Sequence, residues 1–299
     1  MSIIDDLKME YRVGGIVQRL IFWNVGLFAI PLIIFSILKL SGVDVTAFDW
    51  TDAYPGDWFC LSSNPADLLW KPWSIIGYAF LHAGILHLVF NMLVLFSSGR
   101  LFLTFFTQKQ LFGLYILSAI FAGLVFILGY NVIPTLTGTW AGMVGASASI
   151  MAILVATATY SPHYPVRLML IGTVKLWQIA IVLIVLDLIN ASVENTGGHL
   201  AHLAGSLFGF LYIKLLQNGT DLSKGVSAVI DFFANLFTPR KKAPFKKVHR
   251  NPAPAAKVNV SKPKDITQKQ IDEILDKISK SGYDSLTKDE KDFLFKVGK

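Results

Sequence analysis

Four residues of this chain have types and spacings that could do chemistry together: Ser147, His202, His87 and Asn91. Ser147 closes the string Gly145-Ala146-Ser147, and His202 lies in Ala201-His202-Leu203-Ala204-Gly205. Each string sits near the start of an apolar run long enough to enter a membrane. Ionisable groups there are costly and so carry a functional expectation. A serine hydroxyl becomes a useful nucleophile when a neighbouring histidine takes its proton. His87 and Asn91 stand at i and i+4, which puts them on one helix face. Both can donate hydrogen bonds, and an uncharged donor suits a developing oxyanion. If Ser147 opens a helix, its own N–H has no helical acceptor and adds a further donor. Gly205 and Gly209 form a G-x-x-x-G spacing, which permits close helix approach. Packed on the small residues Gly145, Ala148 and Ala152, that face would bring His202 within reach of Ser147.

These residues need elements to position them, and composition says what kind. The 299 residues are 53% hydrophobic and 16% charged, with mean hydropathy +0.53. Soluble domains carry about 25% charged residues, so an all-α membrane protein is expected. The net charge is +7, but most of the lysine falls after residue 220. The excess therefore reads as membrane topology and a cytosolic tail, with no nucleic-acid partner. Cys60 is the single cysteine, so no intrachain disulfide can form. The first apolar run, from about Leu20, is too long for a signal-peptide core and lacks a small-residue cleavage site, so it reads as a retained span.

A span needs about 20 apolar residues. Candidates lie at 20–40, 84–104, 110–130, 145–161, 175–194 and 199–217. The second run begins near Trp73, too early for one helix, and His82-Ala83-Gly84 supplies a break. Lys8, Arg12 and Arg19 precede span 1; Arg100 and Lys109 separate spans 2 and 3. Arg167 and Lys175 separate spans 4 and 5; Lys214, Lys224, Arg240, Lys241 and Lys242 follow span 6. The other three loops hold one lysine, Lys71, and no arginine. The positive-inside rule then gives six spans with both termini cytoplasmic. In that topology Ser147, His202 and the His87–Asn91 pair all fall in one layer near the outer face.

The organisation expected is a cytosolic segment 1–19, a six-span domain 20–217, a juxtamembrane segment 218–242, a linker 243–264 and a hairpin tail 265–299. The outward loop before span 2 holds Asp44, Asp49, Asp52, Asp57 and Asp67 with Trp50, Trp58, Trp70 and Trp73. Such tryptophan density suits an interfacial segment, although an extramembrane loop with its own small core is the alternative. Leu222, Val226, Val229, Ile230, Phe233 and Phe237 share one helical face, followed by Arg240-Lys241-Lys242 and Lys246-Lys247. That combination suits an interfacial helix and a polybasic patch for anionic lipid. The Pro/Ala/Lys-rich linker leads to Thr267-x-x-Gln270 and Thr287-x-x-Glu290, two capping-box patterns. Ile271, Ile274, Leu275 and Ile278 form an apolar stripe between them. So short a tail needs a surface to dock on, either a second copy of the chain or the membrane domain.

The words His82-x4-His87-x3-Asn91, Gly145-Ala146-Ser147 and Ala201-His202-x2-Gly205-x3-Gly209 resemble the rhomboid family of intramembrane serine proteases, bacterial six-span type. Each word is weak; their order and span positions together are specific. The resemblance implies a Ser147–His202 dyad with Ser147 as nucleophile and His202 as general base and acid. It implies an oxyanion site from His87, Asn91 and the Ser147 amide, a water-filled cavity open outward, and lateral substrate entry near spans 2 and 5. It implies transmembrane protein substrates, no metal or cofactor, and an inner (cytoplasmic) membrane location. The tail resembles an extension of some bacteroidete-type rhomboids. The chain departs from the family at Ala148, where glycine is usual, and at Met151, where an aromatic often lies under the histidine. The Trp-Arg pair frequent in the outward loop is absent.

Other residues and functions compete with this reading. Ser149 faces elsewhere and reads as packing, His199 as a polar residue at the interface, and His82 as a hydrogen-bonding residue at the break. Asp187 in span 5 could orient His202 and complete a triad, but is read as neutral or paired inside the bundle. A zinc site from His199-x-x-His202 with His82 or His87 would suit a transporter, yet no internal repeat accompanies it. A catalytically dead, helix-binding relative would be expected to lack the serine or the histidine.

Overall fold

A computed structural model describes residues 2–43, 59–169, 171–237 and 263–297. The outward-loop residues Asp44, Asp49, Trp50, Asp52, Asp57 and Trp58 lie outside these, as do the basic patch from Arg240 to Lys247 and nearly all of the linker. The chain divides into two compact units, 1–240 and 241–299.

The first unit begins with α1 (Ile3–Val13), capped by Ser2, and α2 (Ile16–Leu40). A two-residue strand β1 (Leu61–Ser62) and two single-turn helices, α3 (Asp67–Trp70) and α4 (Ser74–Gly77), follow. A 3₁₀ turn (Tyr78–Phe80) leads to the predicted break, and α5 (Ile85–Phe102) starts just after Gly84. Next come α6 (Gln108–Val132), β2 (Gly142–Met143) and α7 (Ser147–Tyr160). A hairpin of β3 (Pro165–Leu168) and β4 (Gly172–Lys175) leads into α8 (Leu176–Asn190). The unit ends with α9 (Thr196–Gln217) and α10 (Ser223–Phe237).

The bundle is built around α7. Every residue of α7 from Ala148 to Ala158 is buried, and α5, α6, α8 and α9 all pack on it. Its closest neighbour is α9, for a steric reason. A Cβ at Gly205 would overlap the Ala148 carbonyl, and one at Gly209 the Ala152 carbonyl. Two glycines one turn apart thus let α9 lie directly on the backbone of α7. The outer helices show the reverse pattern. In α8 only Leu176, Ala180 and Asp187 are buried, while Ile181, Val182, Val185, Leu186, Leu188 and Ile189 face out. Apolar side chains in that number suit a lipid environment rather than water.

Among the described residues, four helices (α2, α5, α6 and α9) are long and apolar enough to cross a membrane. The spans expected at 145–161 and 175–194 are the shorter apolar helices α7 and α8, of 14 and 15 residues. At 1.5 Å per residue each reaches about 21–23 Å, short of the ~30 Å hydrocarbon core. For α7 the shortfall has a physical reason: it is enclosed by other helices, so its ends need not match the lipid thickness. Its N-terminal end opens instead on a cavity.

Buried tyrosines fasten the loops of that end. Tyr78 Oη–H donates to the Ala119 carbonyl (2.7 Å) and Tyr115 Oη–H to the Ala79 carbonyl (2.6 Å). The Gly145 N–H donates to the Tyr78 carbonyl (2.9 Å). β1 pairs antiparallel with β2, aligning Leu61 with Met143. Losing one buried partner would leave the other polar group unpaired, at about 1–3 kcal/mol. The segment before α5, the middle of α6 and the entry to α7 are therefore tied together.

At its far end α10 meets α6 where Ser223 abuts Gly113, while Val229, Ile230, Phe232, Phe233 and Leu236 stay exposed. These side chains are exposed among the described residues, on the segment expected from sequence to be an interfacial helix. The second unit holds α11 (Pro263–Ser281), a 3₁₀ turn at Tyr283–Ser285 and α12 (Lys288–Val297). The start expected at Thr267 is corrected: α11 opens at Pro263, a residue preorganised for the first helical position. α12 starts as expected, with the Thr287 N–H donating to Glu290 (2.7 Å).

Candidate active site

Ser147 is the first residue of α7, so its side chain and its amide both face the cavity end. His202 lies in the second turn of α9. The close contact of these helices brings His202 Nε2 to 2.7 Å from Ser147 Oγ. His82, His87, Gly145, Ser147 and His202 line one cavity of about 660 Å3. That volume lies within the ~300–1,000 Å3 range of ligand sites.

His87 occupies the first turn of α5. Its Nδ1 accepts from the Ala83 N–H (3.4 Å), which leaves the proton on Nε2 in the neutral ring. Nε2 in turn faces Gly145: a Cβ built there would stand 3.3 Å from His87 Nε2 and 3.4 Å from Ser147 Oγ. Gly145 has φ +138°, so the space between His87 and Ser147 exists because no side chain occupies it. A donor on one wall and the Ser147 amide on the other are suitably placed for a small anionic oxygen.

Asn91 is placed differently from His87. It lies one turn further along α5, buried, with Nδ2 donating to the His87 carbonyl (2.9 Å), and is not among the cavity-lining residues. Ser149 donates to the Tyr115 carbonyl (2.8 Å) and is fully buried, which fits its reading as packing. His82 makes no side-chain hydrogen bond among the described residues, contrary to its expected role. Its ring is held edge-on by Phe28 and His87, with centroids 6.5 and 5.1 Å away.

Asp187, weighed in the sequence as a partner of His202 but read as neutral or paired inside the bundle, meets both His202 and His199. Oδ1 of Asp187 is 2.9 Å from His202 Nδ1 and 2.8 Å from His199 Nδ1. His199, read as an interfacial polar residue, is only 18% exposed at its side chain and belongs to the cluster. The signal for both was an acid in an apolar helix, with a turn of a few residues joining that helix to the histidine-bearing one. The set Asp187, His199 and His202 also has metal-ligand types. The transporter reading paired the histidines with His82 or His87 instead. Ligand atoms held 2.0–2.2 Å from a tetrahedral zinc stand about 3.3 Å or more apart. The observed N···O distances are those of hydrogen bonds.

Comparisons with known proteins agree with this architecture. The Rhomboid domain family matches residues 69–218, which contain His82, His87, Asn91, Ser147, Asp187, His199 and His202. A family of unknown function (DUF6576) matches residues 256–296, the tail. The presenilin-associated rhomboid-like protein A, mitochondrial, of Danio rerio is 28% identical over 155 residues, 51% of this chain and 39% of that protein. Rhomboid protein 1, mitochondrial, of Saccharomyces cerevisiae is 31% identical over 141 residues, 46% of this chain and 40% of that protein. The Homo sapiens presenilin-associated rhomboid-like protein, mitochondrial, is 27% identical over 156 residues, 51% and 40% of the two chains. The chain thus spans about two fifths of the length of the curated relatives it matches. With a family match over half of its length and a bundle of apolar helices beneath it, the chain is a multi-pass membrane protein of the rhomboid family.

Proposed function

We propose that the protein is an intramembrane serine endopeptidase, with Ser147 as nucleophile and His202 as general base and acid. The observation that carries this is the 2.7 Å contact between His202 Nε2 and Ser147 Oγ at a cavity inside an apolar bundle. Ser147 Oγ attacks the scissile carbonyl carbon while its proton passes to His202 Nε2. The oxyanion forms beside Gly145, where His87 Nε2–H and the Ser147 N–H donate to it. Asn91, outside the cavity lining, is the weaker donor, through the amide hydrogen that it does not give to the His87 carbonyl. The C–N bond breaks, and the leaving amine takes the proton from His202. Water then hydrolyses the acyl-enzyme with His202 again as base. No metal or organic cofactor enters the scheme.

The substrate class is a transmembrane protein. A helical amide is shielded by its own hydrogen bonds, so the cut segment must first unwind. Helices weakened by Gly, Pro or polar residues are therefore preferred. Their path in is lateral, between α5 and α8. Six crossings place both termini on the cytoplasmic side of a bacterial inner membrane, and the exposed face of α10 rests on that side's lipid. The hairpin tail binds a second copy of the chain.

The test is cleavage of a generic transmembrane-helix substrate by the purified protein in liposomes, with Ser147→Ala and His202→Ala beside wild type. Wild type cleaves and both variants are inactive. Equal cleavage by all three would sink the assignment.

A further inference from the structure

We propose that Asp187 is a positioning residue for His202, so that Ser147, His202 and Asp187 work as a three-membered array rather than a dyad, with His199 holding the carboxylate in place. This rests on the protease reading above. It differs from what the family resemblance implies, which is a serine–histidine pair alone.

The chemistry follows from which atoms meet. A carboxylate oxygen can only accept. Because Asp187 Oδ1 touches Nδ1 of both His199 and His202, each ring must carry its proton on Nδ1. In neutral His202 that leaves the lone pair on Nε2, the nitrogen facing Ser147 Oγ. This is the tautomer that can take the hydroxyl proton; the other would present N–H to the serine and be inert as a base. When His202 becomes an imidazolium, the same oxygen, 2.9 Å away, stabilises its charge.

The carboxylate is also well held. Asp187 is buried near the end of α8, with its side chain 10% exposed. One oxygen receives two N–H donors whose rings meet edge to face, with centroids 5.9 Å apart. A side chain so constrained has little freedom to leave His202. Hydrogen bonding from α8 thus fixes the His202 ring through Nδ1.

The test compares wild type with Asp187→Asn, Asp187→Glu, Ser147→Ala and His202→Ala, as full-length protein in detergent and in liposomes. It reads kcat, KM, the rate at which a fluorophosphonate labels Ser147, and the 15N resonances of the His202 ring. Asp187→Asn is expected to lower kcat about 10²–10⁴-fold with KM unchanged, as loss of the correct tautomer does in a serine triad. Fluorophosphonate labelling slows in parallel, His202 moves to the Nε2–H form, and Asp187→Glu recovers part of the rate. Wild-type kcat and labelling in Asp187→Asn would overturn the proposal while leaving Ser147 and His202 in place. So would a loss of rate with the His202 tautomer unchanged, which would assign Asp187 a structural role. If Asp187→Asn does not fold, the wild-type spectrum decides alone, since His202 as Nε2–H refutes the array. Cleavage by Ser147→Ala or His202→Ala would instead refute the protease reading beneath it.

Discussion

Gly145 keeps His87 and Ser147 apart by the space of one absent methyl group. Its φ of +138° strains any other residue, and a Cβ would stand 3.1 Å from His87 Cε1. Gly145→Ala therefore fills the proposed oxyanion position without removing either donor. The expected outcome is a fall in kcat of about 10²-fold, the cost of losing one oxyanion contact, with substrate binding retained in a pull-down on the inactive Ser147→Ala background. His87 and Asn91 are told apart at this scale too. His87 Nε2 faces the space, whereas Asn91 gives a hydrogen to the His87 carbonyl. His87→Ala should cost about 10²-fold in kcat and Asn91→Ala less, measured on one substrate under one condition. Ser147, His202 and His87 were legible in the sequence because polar residues in apolar runs stand out and share a depth. The contact of Asp187 with His202 was weighed in the sequence but could not be decided there, since helical spacing relates residues within a helix, and the meeting of α8 with α9 is a tertiary fact. The missing hydrogen bond of His82 escaped for the same reason: its neighbour Phe28 comes from another helix.

The pair that matters most among the elements is α7 and α9, and the G-x-x-x-G spacing announced it. Gly205→Ala and Gly209→Ala each set a methyl group against a backbone carbonyl of α7, which cannot move aside as a flexible side chain can. The helices must separate. Overpacking of this kind costs about 1–3 kcal/mol, and Gly205→Ala also lengthens the Ser147–His202 contact one turn away. Both variants should lower the thermal midpoint in detergent, and Gly205→Ala should lose more activity than Gly209→Ala at a temperature where both stay folded. Element lengths were less legible than element identities. Hydropathy marks where apolar runs lie, but α7 and α8 stop short because neighbours and hairpins, rather than lipid, bound their ends. In the tail, Glu290 accepts from Lys277 (2.9 Å) and caps α12 through the Thr287 N–H. Those two contacts hold its carboxyl down to about 2, against the ordinary 4.5. A depressed carboxyl stabilises above the unfolded value and stops doing so as pH falls through the folded one. Amide exchange in the first turn of α12, in the full chain, should be faster in Glu290→Gln than in wild type above pH 4.5, and the difference should vanish toward pH 2.

Across the whole first unit, the polar chemistry and the positive charge sit at opposite ends. The cavity end gathers the starts of α5, α7 and α9, the end of α8 and the β1–β2 pair. The other end gathers the joints that carry Arg100, Lys109, Arg167 and Lys175, and the end of α9 with Lys214. Gln108 accepts from the Ile16 N–H (3.0 Å) and so brings the start of α2, with Arg19, to that same end. Described cations at the cavity end are Lys39, in the last turn of α2, and Lys71. The proposed protease must admit water to its acyl-enzyme and so needs its cavity joined to an aqueous side, for which the charge distribution supplies an expectation. Loops rich in Lys and Arg stay cytoplasmic, so the proposed topology turns the cavity away from the cytoplasm. Cys60 is the single cysteine of the sequence, so a Cys60→Ser background gives a chain ready for site-specific labelling. Glu194→Cys, in the joint of α8 and α9, and Lys109→Cys, at the start of α6, then report on opposite faces. In intact cells a membrane-impermeant maleimide should label position 194 and spare position 109, and opening the membrane should expose both. Labelling of 109 alone would invert the topology. Labelling of both from outside would place these joints on one side, and the alternation of crossings that aligns His87, Ser147 and His202 at one depth would then fail.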